Sequence, residues 1–449
     1  MTISRRSFLA SAAALAAGPA LGAIPASGWV DVAIIGAGAA GIAAARRVAE
    51  ARRSFALIEA SDRVGGRCIT DIRSFGAPFD RGAHWIRQPD VNPVTKLAGR
   101  SGLDLYPAPL GQKIRIGQRN ARESEMEMFL ATLVRANRAI SEAARRKTDV
   151  ACALALPKDL APWRFTIEFV LGPYGSAKEL TEISAMDFAK AERDRDAFCR
   201  QGYGTLLARI ASTLAVQLSA PATAIEWGQR LTVQTPKGTV SARAIIVTVS
   251  TGVLASGKIK FTPDLPKSYL NAADKLKLGT YERIALDLPG NPLGLATDEV
   301  VFEQSENTKT AALLANVSGT PLCFVDVGGS FGRDLAAQGE AAMTAFALDW
   351  LGGLYGTSLK KAVRAARATQ WNKEPWVLGA WSSAAPGAQS ARRTLMEPLR
   401  DRVWFAGEAV HETRWGTVNG AWDSGMRAAE EALRKMGALK EAEKPKGRR

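Results

Sequence analysis

Apolar and polar positions along the chain alternate between two periods. Trp29–Ile35 is a near-continuous apolar run with β-branched residues, the pattern of a parallel strand buried on both faces. Helix formers fill Ala39 to Ala51, and Phe55–Ile58 is a second short apolar run, so a strand–helix–strand unit is predicted. Trp404–Ala406 reads as another strand and Thr417 to Met436 as a long helix. Between Glu123 and Asp194, Met126, Phe129, Leu130 and Leu133 recur at helical spacing, which predicts a helical insertion with Glu123, Glu125 and Glu127 on its solvated face. Lys440 to Arg449 is polar, holds Pro445 and Gly447, and reads as disordered.

The first residues carry an address. Ser4-Arg5-Arg6-Ser7-Phe8-Leu9 precedes an apolar run to about Leu21, and small residues follow at Gly22, Ala23 and Ala26. Charged, apolar and small-residue regions in that order make a secretory signal, and the paired arginines mark the twin-arginine type. The apolar run is too short to span a bilayer comfortably. The expectation is a signal over 1–28, export of the folded protein by the twin-arginine machinery, cleavage after Ala23 or Ala26, no stable membrane insertion and a periplasmic location.

At 449 residues the chain exceeds the size at which one core stops growing, so two joined domains are expected. The net charge of +15 raises the question of nucleic acid, but no basic stripe interleaved with aromatics supports such a partner. Cys68, Cys152, Cys199 and Cys323 are too widely spaced for a zinc site or a redox CxxC pair. With His84 and His411 the only histidines, no metal centre is expected, and no nucleophile elbow supports a hydrolase.

The chemistry lies in glycine turns. Gly36, Gly38 and Gly41 form G-x-G-x-x-G between the first strand and the helix at Ala39 and Ala40. The first permits the tight turn, the second lets backbone approach a pyrophosphate, and the third lets helix and strand pack closely. The helix N-terminus would face the phosphates. Glu59, followed by Ala60, closes the second strand 18 residues past Gly41, where a carboxylate can accept ribose hydroxyls. By itself this motif admits NAD or FAD. A second turn, Gly65-Gly66-Arg67, resembles the extended motif of FAD proteins and favours FAD.

With these motifs in place the chain resembles the flavin amine oxidase family of monoamine oxidases, polyamine oxidases and flavin histone demethylases, from about Val30 to about Leu433. Asp80-Arg81-Gly82-Ala83-His84-Trp85-Ile86 resembles the family segment lining the flavin ring, Gln201–Leu206 its G-G-Y/M-x-x-L segment, and Pro221–Ile225, with Ala222, the strand meeting the adenine. Ala244–Val249, with Thr248, reads as a returning core strand, and Trp376 with Leu378–Ser382 resembles an aromatic-rich strand near the ring face. Gly407-Glu408 and Gly416-Thr417-Val418-Asn419-Gly420-Ala421 resemble the segment that closes over the flavin. The resemblance implies that Glu408 bonds the ribityl or pyrophosphate region and that the amides of Thr417 and Val418 face the flavin N1 and O2. Ala380 stands where monoamine oxidases carry the attachment cysteine, so non-covalent FAD is implied.

The implied reaction takes a hydride from the CH–NH bond of a primary or secondary amine to flavin N5 and leaves an imine, with O2 or a periplasmic electron carrier as acceptor. Aromatic walls suit an amine. Trp381 matches one family aromatic; its usual tyrosine partner is Thr417 here, and Trp415, Trp371 or Trp376 are the candidates to replace it. Arg283, in Gly279-Thr280-Tyr281-Glu282-Arg283-Ile284, stands at the family lysine beside N5. Arginine is forked and never neutral, which opens the choice between oxidase and dehydrogenase and leaves room for a substrate carboxylate. His84 and Arg87 flank Trp85 where polyamine oxidases place a histidine. Arg283, Trp381, Trp415 and His84 are the catalytic candidates. An L-amino-acid oxidase or dehydrogenase, a desaturase of the same fold, and a non-catalytic flavin-binding module are the other readings.

The expected fold is α/β: a Rossmann-like FAD-binding domain over 29–90, 200–255 and 390–436, and an α+β substrate domain of mixed sheet and helical insertion over 91–199 and 256–389, followed by a tail over 437–449.

Overall fold

A computed structural model describes residues 28–192 and 194–439. The expected export signal and tail lie outside the described residues, apart from Gly28 and residues 437–439. Among the described residues no helix is long and apolar enough to cross a membrane.

An eight-stranded sheet forms the first layer. Its centre is Trp29–Ile35, parallel to Phe55–Ile58 on one side and to Gly238–Val247 on the other. Val403–Phe405 pairs in parallel with Ile245–Val247, so the chain's last strand returns to the middle of the sheet. The continuous apolar runs are explained by two cores, one on each face. Val32 and Ile34 pack toward the helices Ala39–Glu50 and Val418–Lys435, and Ala33 and Ile35 pack toward Val253, Phe261 and Tyr269.

The two helices lie against each other through small residues. A Cβ on Gly425 would stand 2.0 Å from the carbonyl oxygen of Ala40, and one on Gly41 would stand 1.8 Å from that of Gly36. Close helix approach therefore delivers the C-terminal helix to the glycine turn, and both helix N-termini to one place.

The second sheet has seven strands in the spatial order Ala365–Ala368, Tyr281–Asp287, Leu322–Gly328, Ala312–Ala315, Glu299–Glu303, Gln112–Ile116 and Arg119–Asn120. It is antiparallel except where Glu299–Glu303 meets Gln112–Ile116. One face packs on helices Gly329–Ala337 and Glu340–Tyr355. The other meets the helical insertion, where Phe129, Trp163, Ile167 and Ile183 are buried with Phe302 and Phe324. Within its first helix, Glu123–Ala143, Phe129 is buried while Leu130 is exposed, and Glu125 closes a capping box and pairs with Arg119 rather than standing free in solvent.

The mixed α/β architecture matches the expectation, but its seams lie elsewhere. Strand Lys260–Thr262 pairs with Ala224–Glu226, and helix Lys267–Lys275 packs on the first sheet, so that layer continues past 255. It resumes by Ala384 rather than 390. Leu378–Ser382 is no strand: Leu378 (φ +64°) and Gly379 (φ +143°) bend it sharply, and one bridge from Ser382 to Leu278 is its sheet-like contact. All four cysteines are buried, and none is joined in a disulfide.

Gly425→Ala tests the helix contact. In an open helix alanine gains about 1 kcal/mol over glycine. Here the blocked Cβ should reverse the sign and lower stability by about 1–3 kcal/mol in denaturant unfolding; a neutral or stabilised variant contradicts the close packing.

Candidate active site

One elongated cavity of about 470 Å³ runs along the C-terminal ends of the central strands and on to the edge of the second sheet. Two glycine turns form its floor at one end. Gly36 (φ +102°) bends the chain after the first strand, and Gly65 (φ +103°) and Gly66 (φ +58°) bring the second turn beside Gly38, with Gly65 N–H donating to Ala37 O at 2.8 Å. A Cβ added to Gly38 meets protein no nearer than 4.0 Å, so the space before it is ligand space. Thr248 Oγ1 donates to the carbonyls of Ile35 and Gly36 and fastens the turn to Gly238–Val247. Glu59 is buried; Oε2 accepts from Ala37 N–H at 2.6 Å and Oε1 from the backbone and hydroxyl of Ser61. Oε2, which accepts one bond, still has acceptor capacity for a ribose hydroxyl.

At the other end, Thr417 caps helix Val418–Lys435. Its hydroxyl accepts from Gly420 N–H at 3.0 Å and donates to Arg414 O. First-turn amides have no intrahelical acceptor, so those of Val418 and Asn419 remain available at the positive helix end. The Trp415 Nε1 and His84 Nε2, both on residues of the cavity wall, are buried without hydrogen-bond partners. An opened glycine cradle, a ribose-competent acid, amides at a helix N-terminus and orphaned polar atoms together fit a flavin dinucleotide.

Every candidate named from the sequence lines this one cavity except Gly41, which acts by packing. Their roles differ from expectation in several places. Glu408 is committed to protein: Oε1 accepts from Arg67 (2.9 Å) and Ser382 N–H (3.1 Å), Oε2 from Ser382 Oγ (2.8 Å) and Gly416 N–H (2.9 Å). It organises the walls instead of bonding ribityl or pyrophosphate. Arg67 also donates to Ala380 O. Behind this hub, Arg392 donates to Ser382 Oγ and grips Asp187 at 2.8 and 2.7 Å; both partners are 1% exposed. Asp187 and Arg392 carry no motif, and only tertiary structure joins them to Ser382.

Arg283 is likewise committed. It is 3% exposed and clasps Asp326 with Nε and Nη2, while Nη1 donates to the carbonyls of Asp80 (2.8 Å) and Gly82 (3.2 Å). The guanidinium therefore ties the second sheet to the 80–82 segment, and a substrate carboxylate would find four of its hydrogen bonds already made. Asp80 in turn lies 2.8 Å from His84 Nδ1 and accepts from Thr70 Oγ1 and Tyr203 N–H. A carboxylate is acceptor-only, which places the imidazole proton on Nδ1 and leaves Nε2 as acceptor.

Among the tryptophans, Trp381 sits against Gly416, whose added Cβ would stand 2.8 Å from Cδ1. Trp371 packs on Gly82 and donates to Arg81 O. Trp415 is buried with Arg392 4.9 Å over its ring, and Trp376 is 39% exposed with Lys258 5.4 Å over its ring. The ring beside Trp381 is Tyr281, at 5.0 Å and 45°. Sequence reading passed over Tyr281 as a wall residue, although it lies two residues before Arg283 in one strand and therefore on the same face.

Lys178 is buried near Asp187, Glu182, Arg392 and Glu408, and donates to Ser383 O at 3.0 Å. Burial above all lowers its pKa to about 8. The unfolded chain then holds more protons between about pH 8 and 10.5, so this lysine makes stability rise with pH across that window. Comparing Lys178→Met with the parent, the difference in unfolding free energy should move in the parent's favour from pH 8 to 10; a constant difference refutes it. Arg392→Met, which strands Asp187, should cost about 3–5 kcal/mol, read by denaturant unfolding.

Comparison with known proteins places this geometry. The family model for flavin containing amine oxidoreductases matches residues 39–433. The chain is 26% identical over 439 residues to polyamine oxidase 3 of Oryza sativa subsp. japonica, covering 89% of this chain and 88% of that protein. It is 26% identical over 452 residues to human lysine-specific histone demethylase 2, of which it spans only about half the length (53%), with 89% of this chain aligned. Putrescine oxidase bound to putrescine superposes with TM-score 0.76 at 20% identity over 90% of this chain and 99% of that one. Cyclohexylamine oxidase from Brevibacterium oxydans IH-35A does so with TM-score 0.76 at 22% identity over 91% and 99%.

Proposed function

The chain belongs to the flavin containing amine oxidoreductase family, and from that premise we propose that it oxidises the CH–NH bond of a primary or secondary amine to an imine, which water then hydrolyses. The bound flavin supplies the hydride acceptor. The observation that carries the reading is the single cavity joining a dinucleotide cradle to an aromatic wall at the edge of the second sheet.

This chain's residues have separable tasks in the proposal. The turns at 36–41 and 65–67 with Glu59 hold the adenosine diphosphate end. The helix end at Thr417 and Val418 lays positive potential where negative charge develops. Trp85, Trp381 and Tyr281 hold the amine and exclude water. His84 is held by Asp80 in the wall beside Trp85. Attachment is non-covalent because Ala380 offers no thiol.

Arg283 bears on the electron acceptor. Held by Asp326 and two carbonyls, it cannot swing or lose its proton as a lysine can. This supports transfer to a carrier over rapid reaction with O2. The residues before 28 support delivery to the periplasm by the twin-arginine route, which cell fractionation with and without Arg5→Lys/Arg6→Lys tests.

Purified protein should be yellow and release its flavin into the supernatant on acid precipitation. Mixed anaerobically with amines, its flavin absorbance should bleach. Colour should return faster with phenazine methosulfate than with air. Absence of bleaching by amines together with bleaching by an L-amino acid would overturn the amine reading, and flavin retained in the pellet would overturn non-covalent attachment.

A further inference from the structure

The amine-binding end holds a wall that the candidate catalytic residues do not account for. Val170 and Tyr174, both on the cavity surface, belong to a π-helical turn, Val170–Tyr174, that contains Pro173. Single π-turns are rare and recur at functional sites. This one is clamped in place. A Cβ on Gly328 would stand 2.5 Å from Pro173 O, and one on Gly279 would stand 2.2 Å from Ala177 O, which accepts from Thr280 N–H at 2.8 Å. The clamp sets Tyr174 beside Tyr281, ring centroids 6.0 Å apart, and Tyr281 beside Trp381 at 5.0 Å. Tyr174, Tyr281 and Trp381 thus form a continuous wall of three rings. Each stays partly exposed inside a concave site, so apolar surface is left open to whatever enters.

Charge at this end is already neutralised. Arg283 pairs with Asp326 and Arg87 with Asp196. Glu192 accepts from Arg414, Thr413 and Gln88, and the Thr413 and Arg414 bonds above all hold its pKa at about 2. The Tyr281 hydroxyl donates to Asp326 at 2.7 Å, which ties up its polar tip and leaves the ring. A second ammonium of a polyamine would find no unpaired carboxylate here, and the carboxylate of an amino acid would meet guanidiniums that already have partners.

Resting on the amine-oxidising reading, we propose that Tyr174, Tyr281 and Val170 form a subsite for the apolar, aromatic or alicyclic substituent of a monoamine, with Tyr281 as the second aromatic wall that Thr417 does not supply. The substrate's nitrogen end lies toward Trp381 and its bulky end on the π-turn. Tyr174 and Tyr281 are specificity-determining residues.

The test is anaerobic flavin reduction of the holoenzyme by cyclohexylamine, benzylamine, methylamine and putrescine. Bulky monoamines should exceed putrescine by about tenfold or more in the flavin reduction rate at amine concentrations well below saturation, the scale of burying one ring. Tyr174→Ala should lose about tenfold on cyclohexylamine with little change on methylamine; Tyr281→Ala should lose on both amines and more on cyclohexylamine, a loss that Tyr281→Phe, which keeps the ring, largely restores. Binding of cyclohexanol, read as a perturbation of the flavin spectrum without turnover, should weaken in parallel. Tyr174→Leu, which keeps bulk in the wall, serves where the alanine variant loses flavin. Preference for putrescine, or an equal loss on small and bulky amines, overturns the subsite. Failure of every amine to bleach the parent instead removes the amine reading itself.

Discussion

The Glu408 carboxylate is the constraint on which the site depends. It accepts four hydrogen bonds from three separate parts of the chain: Arg67 after the second glycine turn, Ser382 at the bend beyond Gly379, and Gly416 at the entrance to the last helix. Arg392 and Asp187 extend the same network into the helical insertion. Buried charge is expensive unless fully partnered, so each group in this chain of contacts is stable only while the others stay in place. The adenosine diphosphate cradle, the tryptophan wall and the C-terminal helix are therefore positioned together rather than one by one.

A second ionic clasp does comparable work across the layers. Arg283 leaves the second sheet, holds Asp326 beside it and reaches the carbonyls of Asp80 and Gly82. Those carbonyls flank the segment whose side chains include His84 and Trp85. The aromatic wall on the sheet and the imidazole on the loop thus share a single fixed distance.

The sequence made the cofactor end legible because backbone needs leave compositional traces. Gly36, Gly38, Gly65 and Gly66 are demanded by turns and close approach, and a β-branched run before them announces a strand; residues 29–59 could be read nearly complete. The C-terminal segment was readable for the same reason, through Gly407, Gly416 and Thr417. Two kinds of feature were missed. Asp187 lies 205 residues from Arg392 along the chain, and no spacing among Asp187, Ser382 and Arg392 reports a contact. Tyr281 shares the strand face of Arg283 and was legible from that spacing, but tryptophans near the expected tyrosine position were read in its place. The seams near 255 and 390 were misplaced because a strand and helix beyond the first, Lys260–Thr262 and Lys267–Lys275, carry apolar patterns that suit either layer. Glu408 was recognised as part of the site, but its loyalty to protein partners could be seen only once Arg67, Ser382 and Gly416 had coordinates.

Strand Val403–Phe405 joins the middle of the first sheet, and the helix after it packs on the glycine turn some 380 residues earlier in the chain, as the Arg47–Glu430 pair marks (383 residues apart). A nascent polypeptide that has emerged only as far as residue 400 lacks both, so its dinucleotide cradle stands open with Ala40 and Gly41 bare. The cradle is therefore completed only when Val403–Phe405 and the helix after it have joined it, which makes flavin capture a late step of assembly.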